Sequence, residues 1–497
     1  MKTTVSRKSL PVRISVPGKS QSARSPRTAV AILALGICTL GLTVSTHAAI
    51  VSTWSFATSG SWEDGTKWST NPVVPNNGNA GQDYDARINT AGTYAVTLSS
   101  DVTVNSVLLN STNATLHHAG GTLQVNGALT LQAGTYSLEG GAIKGATITR
   151  TGGSLLFTNN GNNRLDGATL DGDLNLNQAG GAQVRLQNGA GFTGNANLGT
   201  PDGNVSRLSY EQTSTLSKTV HMDGTFGGAV VSVEGGSTPT VGTSGKIRGQ
   251  GTISGPQIVG GPSGLINQGT ISADISAASL TISGNLDSFT NAGTVEAVNG
   301  ATLNVANGCI QTAGVTRVVV VGTITTDPGK LILIQGGSLS GSGLIDSTVI
   351  TSSTIAPGAS AGTLFIGRDL VLSGAPILEI EIGGTAQGTE YDLLAEAGTI
   401  PLTLGGALEV RFINGFQSSI LPTDSFTIVT SNQSILGTFS NVGGGRIATA
   451  DGTGSFAFLV SGTDVILGGF VGVPEPGTGL LCLLGLPLLL GRRRRQG

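Results

Sequence analysis

Between Ile50 and Phe470 the apolar residues do not recur at the 3.6-residue period of a helix, and clusters of glycine interrupt the stretches where one would start. Short alternations of apolar and polar residues recur instead. They include "TLQV" at Thr122 to Val125, "ALTL" at Ala128 to Leu131, "TYSL" at Thr135 to Leu138 and "ATITR" at Ala146 to Arg150. Gly and Asn stand between them, as tight corners with positive φ demand. Short strands with frequent corners are compatible with packed sandwiches or with a wound solenoid.

Repetition favours the solenoid. "INQGTI" at Ile266 to Ile271 returns as "FTNAGTV" at Phe289 to Val295, with Asn267 and Asn291 24 residues apart and Gly269 and Gly293 likewise. The same Gly-Thr-aliphatic step appears at Gly251-Thr252-Ile253, Gly322-Thr323-Ile324 and Gly362-Thr363-Leu364. A repeat of that length is one rung of a parallel β-helix, which buries its apolar side only by stacking on its neighbours. The expected fold is therefore all-β: a right-handed parallel β-helix over residues 101–330, with irregular spacing where loops leave the corners.

The segments flanking those repeats differ. Residues 49–100 hold all three tryptophans, Trp54, Trp62 and Trp68, whose bulk suits a cap over the open end of a solenoid better than a sugar-stacking platform. From Leu331 to Phe470 the strands look longer and alternate more cleanly. In "ILEIEI", Ile377 to Ile382, Glu379 and Glu381 fall on one face and Leu378, Ile380 and Ile382 on the other. Over Gly336 to Phe439 the chain resembles the β-rich C-terminal segment of surface proteins with autotransporter-like β-helices, through Ala356-Pro357-Gly358 and Tyr391-Asp392. That resemblance implies architecture and no activity.

Composition agrees with a folded β-protein. Glycine (78 of 497 residues) is abundant and charged residues (11%) are scarce, yet Val, Ile, Leu and Thr occur throughout. The net charge of −3 conceals a segregation of sign: with seven basic residues before residue 49 and four at the end set aside, fifteen basic residues face 29 acidic ones, about −14 for the body. An acidic body argues against a nucleic-acid partner.

The ends carry addresses. Lys2, Arg7, Lys8, Arg13, Lys19, Arg24 and Arg27 precede an apolar run from Ala29 to Val44, and Thr46-His47-Ala48 offers a small residue at the cut, so residues 1–48 read as an export signal. At the other end, Thr478 to Gly491 is an uncharged run of fourteen residues, a short transmembrane helix of roughly 21 Å. Pro474, Glu475 and Pro476 precede it, and Arg492, Arg493, Arg494 and Arg495 follow it and should stay cytoplasmic. Across residues 473–497 the chain closely resembles bacterial PEP-CTERM proteins, whose Val-Pro-Glu-Pro motif, here Val473, Pro474, Glu475 and Pro476, forms a sorting signal with the apolar run and basic end. The resemblance implies an exosortase-type processing enzyme as partner. It also implies an inner-membrane intermediate in a Gram-negative-type bacterium and delivery to the cell surface or an exopolysaccharide matrix.

Chemistry is sparse between the two ends. His117, His118 and His221 form no zinc motif, and the adjacent pair points to opposite faces of a strand. Gly245-Lys246 is followed by Ile247, where a phosphate loop needs Ser or Thr. Cys309, the single cysteine of the body, has no nearby activating group in sequence and reads as a buried apolar residue. In "RLDGATLDGDLNL", Asp166, Asp171 and Asp173 are the best enzymatic candidates, as Ca²⁺ ligands or paired carboxylates acting on sugar, against the commoner reading of solvated turn aspartates. No cofactor and no metal is expected. The favoured reading is a non-enzymatic surface or matrix protein that adheres to exopolysaccharide or a cell-surface glycan. A secreted polysaccharide lyase or glycoside hydrolase is the alternative. Ice binding through a Thr-rich face is weaker, because "TIT" at Thr147 to Thr149 does not recur at a fixed spacing.

Overall fold

A computed structural model describes residues 48–199, 202–224, 228–358 and 360–473. They form an all-β solenoid of about 13 turns with almost no helix. One coil illustrates the construction. Gly264–Asn267, Thr270–Ala273 and Ser279–Ile282 form its three sides, and each pairs in parallel with its counterpart 23 to 24 residues on: Ser288–Asn291, Thr294–Val298 and Thr302–Val305. The echo of "INQGTI" in "FTNAGTV" is thus a register: Asn267 lies opposite Asn291, and Thr270 opposite Thr294.

Three faces result. The third runs without a break in parallel pairing from Val102–Val104 to Ser425–Ser431. The second runs from Leu174–Leu176 to Ala407–Phe412, and an earlier stretch of it from Gly60–Ser61 to Ser154–Phe157. The first begins with Ile50–Thr53 against Tyr84–Ile88 and ends with Leu402–Leu404 against Ile435–Gly437.

Period-two alternation fills the interior. Leu123, Ile143 and Leu165 stand one above another in successive coils, and each is fully buried. Each rung's apolar side finds its cover in the rungs above and below, which is why short strands without a hairpin partner are stable here. The alternation in "ILEIEI" holds: Leu378, Ile380 and Ile382 are buried and the two glutamates face out.

The three indoles of the N-terminal segment are buried, so none presents a stacking face to solvent. Trp54 and Trp62 both meet Trp68 edge-on, with ring centroids 5.2 and 4.8 Å apart. Each ring N–H finds a backbone carbonyl: Thr58 for Trp54, Pro75 for Trp62, and Trp62 for Trp68. Strand pairing runs on across residue 100, where the sequence places the edge of the cap. Tyr84–Ile88 and Tyr94–Leu98 already belong to the coil that Val102–Val104 completes.

Pairing is likewise continuous across residue 331. Leu331–Ile334 pairs in parallel with Cys309–Gln311 before it and with Thr348–Thr351 after it, so the coils continue through it. The strands there are also no longer than those before: Leu331–Ile334, Ser338–Gly341 and Leu344–Asp346 run 4, 4 and 3 residues, against 5 for Thr294–Val298 and Val315–Val319. The real change comes at Ser425–Ser431. It is parallel to Leu393–Glu396 on one edge and antiparallel to Asp464–Gly472 on the other, and Gly454–Ser461 and Arg446–Ala448 continue the antiparallel sheet. Gly462, at φ 63°, makes the tight hairpin turn. Phe412, Phe426, Phe456 and Phe470 pack together beneath this sheet and close the second end.

Among the described residues no helix is long and apolar enough to cross a membrane. The expected export signal, apart from Ala48, and the expected span from Thr478 to Gly491 lie outside them.

Candidate functional site

Of the sorting motif, Val473 alone is described. It is exposed, and its N–H donates to the carbonyl of Thr453 at 2.8 Å, so the chain leaves the body from the end of Asp464–Gly472, an inner strand of the terminal antiparallel sheet. Pro474, Glu475, Pro476 and the four arginines from Arg492 to Arg495 lie outside the described residues.

The three candidate aspartates do not converge. Asp166 Oδ1 accepts from the Asn188 side-chain amide at 2.5 Å, Asp171 Oδ1 from the Thr193 hydroxyl at 2.9 Å, and Asp173 Oδ1 from the backbone N–H of Asn195 at 2.8 Å. Each donor lies 22 residues further on, one coil away. Asn175 continues the series by accepting from Asn197 at 2.8 Å. These carboxylates link neighbouring coils. Neighbours in sequence spread around the circumference of a solenoid, whereas neighbours in space are one coil apart.

His117 and His118 point to opposite sides of their strand, as alternation requires. His117 Nδ1 meets Glu139 at 2.6 Å near the surface, while His118 is fully buried with Nδ1 at 2.8 Å from the Tyr136 hydroxyl, and burial lowers it to about 4. Cys309 is buried, and desolvation pushes its thiol up to about 12, so it is inert at neutral pH. The "TIT" strand lies on the first face, where Thr149 reaches Thr130 of the preceding coil at 3.5 Å. Among the described residues no group of His, Cys, Asp or Glu is placed to hold a metal ion.

The second face carries the arrangement that reading along the sequence missed. Arg248, Ser272, Glu296 and Arg317 stand in one column on four successive strands. Each occupies the third position of its strand in "KIR", "TIS", "TVE" and "VTR". Aligning the chain coil by coil is the signal that would have found them. Arg317 donates from Nε and Nη2 to Glu296 Oε2 at 2.8 and 2.6 Å, and Ser272 donates to Glu296 Oε1 at 2.7 Å. Arg248 Nε meets Asp274 Oδ2 at 2.7 Å. Beside Arg248 a depression of about 510 Å³ is bordered by His221, Asp223, Gln250 and Ile275.

Further along the same face, a second depression of about 410 Å³ is lined by Glu379, Glu381, Asp392 and Arg411, beside the Pro357-Gly358 corner. Asp392 is buried, its two oxygens accepting the N–H groups of Gly362 and Glu381, both at 2.8 Å. Desolvation raises its carboxyl to about 7, against the lowering effect of those two N–H groups. The Ala356-Pro357-Gly358 and Tyr391-Asp392 motifs thus meet: the aspartate ties the corner after Pro357 to the strand Ile377–Ile382.

Compared with known proteins, the chain matches no protein-family model and no curated sequence.

Proposed function

We propose that this chain is an exported surface or matrix protein, a rigid rod sorted by its C-terminal signal and adhesive toward polysaccharide. The observation that carries the reading is the use of surface polar groups as links between coils, from Asp166–Asn188 to Asn175–Asn197. The acids that the sequence offers for hydrolysis, Asp166, Asp171 and Asp173, each bond to a neighbouring coil. About 13 turns at roughly 4.8 Å each give a rod of about 60 Å, long enough to present many weak contacts at once. An exosortase-type enzyme acting at Pro474-Glu475-Pro476 would release the rod from an inner-membrane intermediate in a Gram-negative-type bacterium.

Two variants test this reading. Asp171→Asn with Asp173→Asn should leave attachment to the matrix unchanged, and loss of attachment in a folded double variant would refute a purely structural role for these acids. Glu475→Ala should accumulate unprocessed in the membrane fraction; normal maturation of that variant would remove the sorting step.

A secreted polysaccharide hydrolase is the second reading. It is favoured by the depression at Glu379 and Glu381, where burial lifts Asp392 to about 7. Against it, both oxygens of Asp392 are already engaged by backbone N–H groups. Turnover of a glycan that disappears in Asp392→Asn would decide for the enzyme.

A further inference from the structure

On the second face two carboxylates are covered and their arginine partners are not. The Asp274 side chain is 8% exposed beneath Arg248 at 41%, and Glu296 is 7% exposed beneath Arg317 at 47%. A guanidinium has five N–H donors, more than one carboxylate oxygen takes up. Each acid therefore fixes its arginine and leaves donors facing solvent in a set direction, the arrangement that recognises a second carboxylate.

The two arginines stand three strand steps apart in one column, roughly 14 Å along the rod at about 4.8 Å per step. An apolar side chain lies beside Arg248, and two exposed ones follow Arg317 in sequence. Ile275 borders the depression at Arg248, and Val320 and Val321 follow Arg317 at the same corner, 59% and 77% exposed. Both valines hold positive φ, 50° and 52°, a conformation that costs a β-branched residue energy and is repaid here by no burial.

We infer that this column is a binding site for a linear, carboxylate-bearing polysaccharide lying along the rod. Its acid groups meet Arg248 and Arg317, and its sugar faces rest on Ile275, Val320 and Val321. The inference rests on the adhesion reading above and gives that reading a face and a ligand charge. A polymer fits better than a small anion, because only a chain reaches both guanidiniums and gains from the linkage. A carboxylated glycan fits better than duplex DNA, because two arginines roughly 14 Å apart do not form the dense basic stripe that a phosphate backbone requires.

The test measures binding of the full-length chain to immobilised polygalacturonate, dextran and duplex DNA. Two paired variants, Arg248→Gln with Asp274→Asn and Arg317→Gln with Glu296→Gln, remove each arginine without leaving a bare buried acid. Each should bind polygalacturonate about tenfold more weakly, with an unchanged circular dichroism spectrum. Arg248→Lys with Arg317→Lys, which keeps the charge and loses the fork, should also weaken binding. Arg368→Gln, at the corner between the third and first faces, should not. Folded paired variants that bind like the parent would overturn this site and leave adhesion standing. Equal binding of dextran, or tighter binding of DNA, would overturn the ligand class. A parent chain that binds none of the three probes would sink the adhesion reading, and the site with it.

Discussion

Asn267 donates its side-chain amide to Asn291 Oδ1 at 2.8 Å from one coil to the next, and neither residue has exposed surface. The ladder continues: Asn291 reaches Gln311 Oε1 at 3.2 Å, and Gln311 Nε2 reaches the carbonyls of Gly336 and Ser338 at 2.9 and 3.1 Å. Amides at this inward corner satisfy the backbone where the chain turns between the first and second faces. Replacing the middle rung by an apolar side chain, Asn291→Leu, strips Asn267 and Gln311 of a partner inside the stack. A loss of roughly 1–3 kcal/mol is expected. Urea denaturation followed by circular dichroism measures it, and an unchanged midpoint would show that the ladder contributes nothing.

Two residues after that ladder the coils approach each other closely. A Cβ on Gly293 would sit 2.3 Å from the carbonyl oxygen of Gly269, and one on Gly314 would sit 2.0 Å from that of Gly293. No side chain fits between those backbones, so Gly293→Ala must push two coils apart. Overpacking of this kind costs roughly 1–3 kcal/mol or more. Gly443→Ala, where nothing lies within 4 Å, is the matched control. Equal melting temperatures for the two variants would contradict the close approach.

Stability should respond to pH through two groups with opposite signs. Asp392 is raised to about 7 by burial, so the stability it lends is fully present below the pKa of an unfolded aspartate and is lost as pH rises through about 7. His118 is lowered to about 4 by burial, so its contribution is present above the unfolded histidine pKa and is lost as pH falls through about 4. Between about pH 4 and 6.5 the two slopes oppose each other. Asp392→Asn should therefore expose a rise in stability with pH over that window, and His118→Gln a fall. Melting curves at pH 4.5, 5.5 and 6.5, roughly spanning the window, test this. The same slope in both variants would contradict the assignment.

What could be read from the sequence was whatever repeats in place. Asn267 and Asn291, and Gly269 and Gly293, are identical because a ladder of amides or a close backbone approach makes the same demand in adjacent coils. "ILEIEI" was legible because one strand contains its whole pattern. Contacts between coils were not. Coil length varies from 16 residues between Ser338 and Thr354 to 36 between Gly60 and Val96. No fixed offset therefore links Arg317 to Glu296 or Arg248 to Asp274. The aspartates of "RLDGATLDGDLNL" looked like a cluster because they are close along the chain, but their partners lie 22 residues away.

The most direct measurement is the intact mass of the protein recovered from the medium, surface and membrane fractions of producing cells. Export followed by tail processing should yield, outside the membrane, a species lacking the first 48 or so residues and the segment beyond the Pro474-Glu475-Pro476 triplet. A protein found only inside the cell, with the mass of all 497 residues, would contradict both steps and leave the rod without a surface to serve.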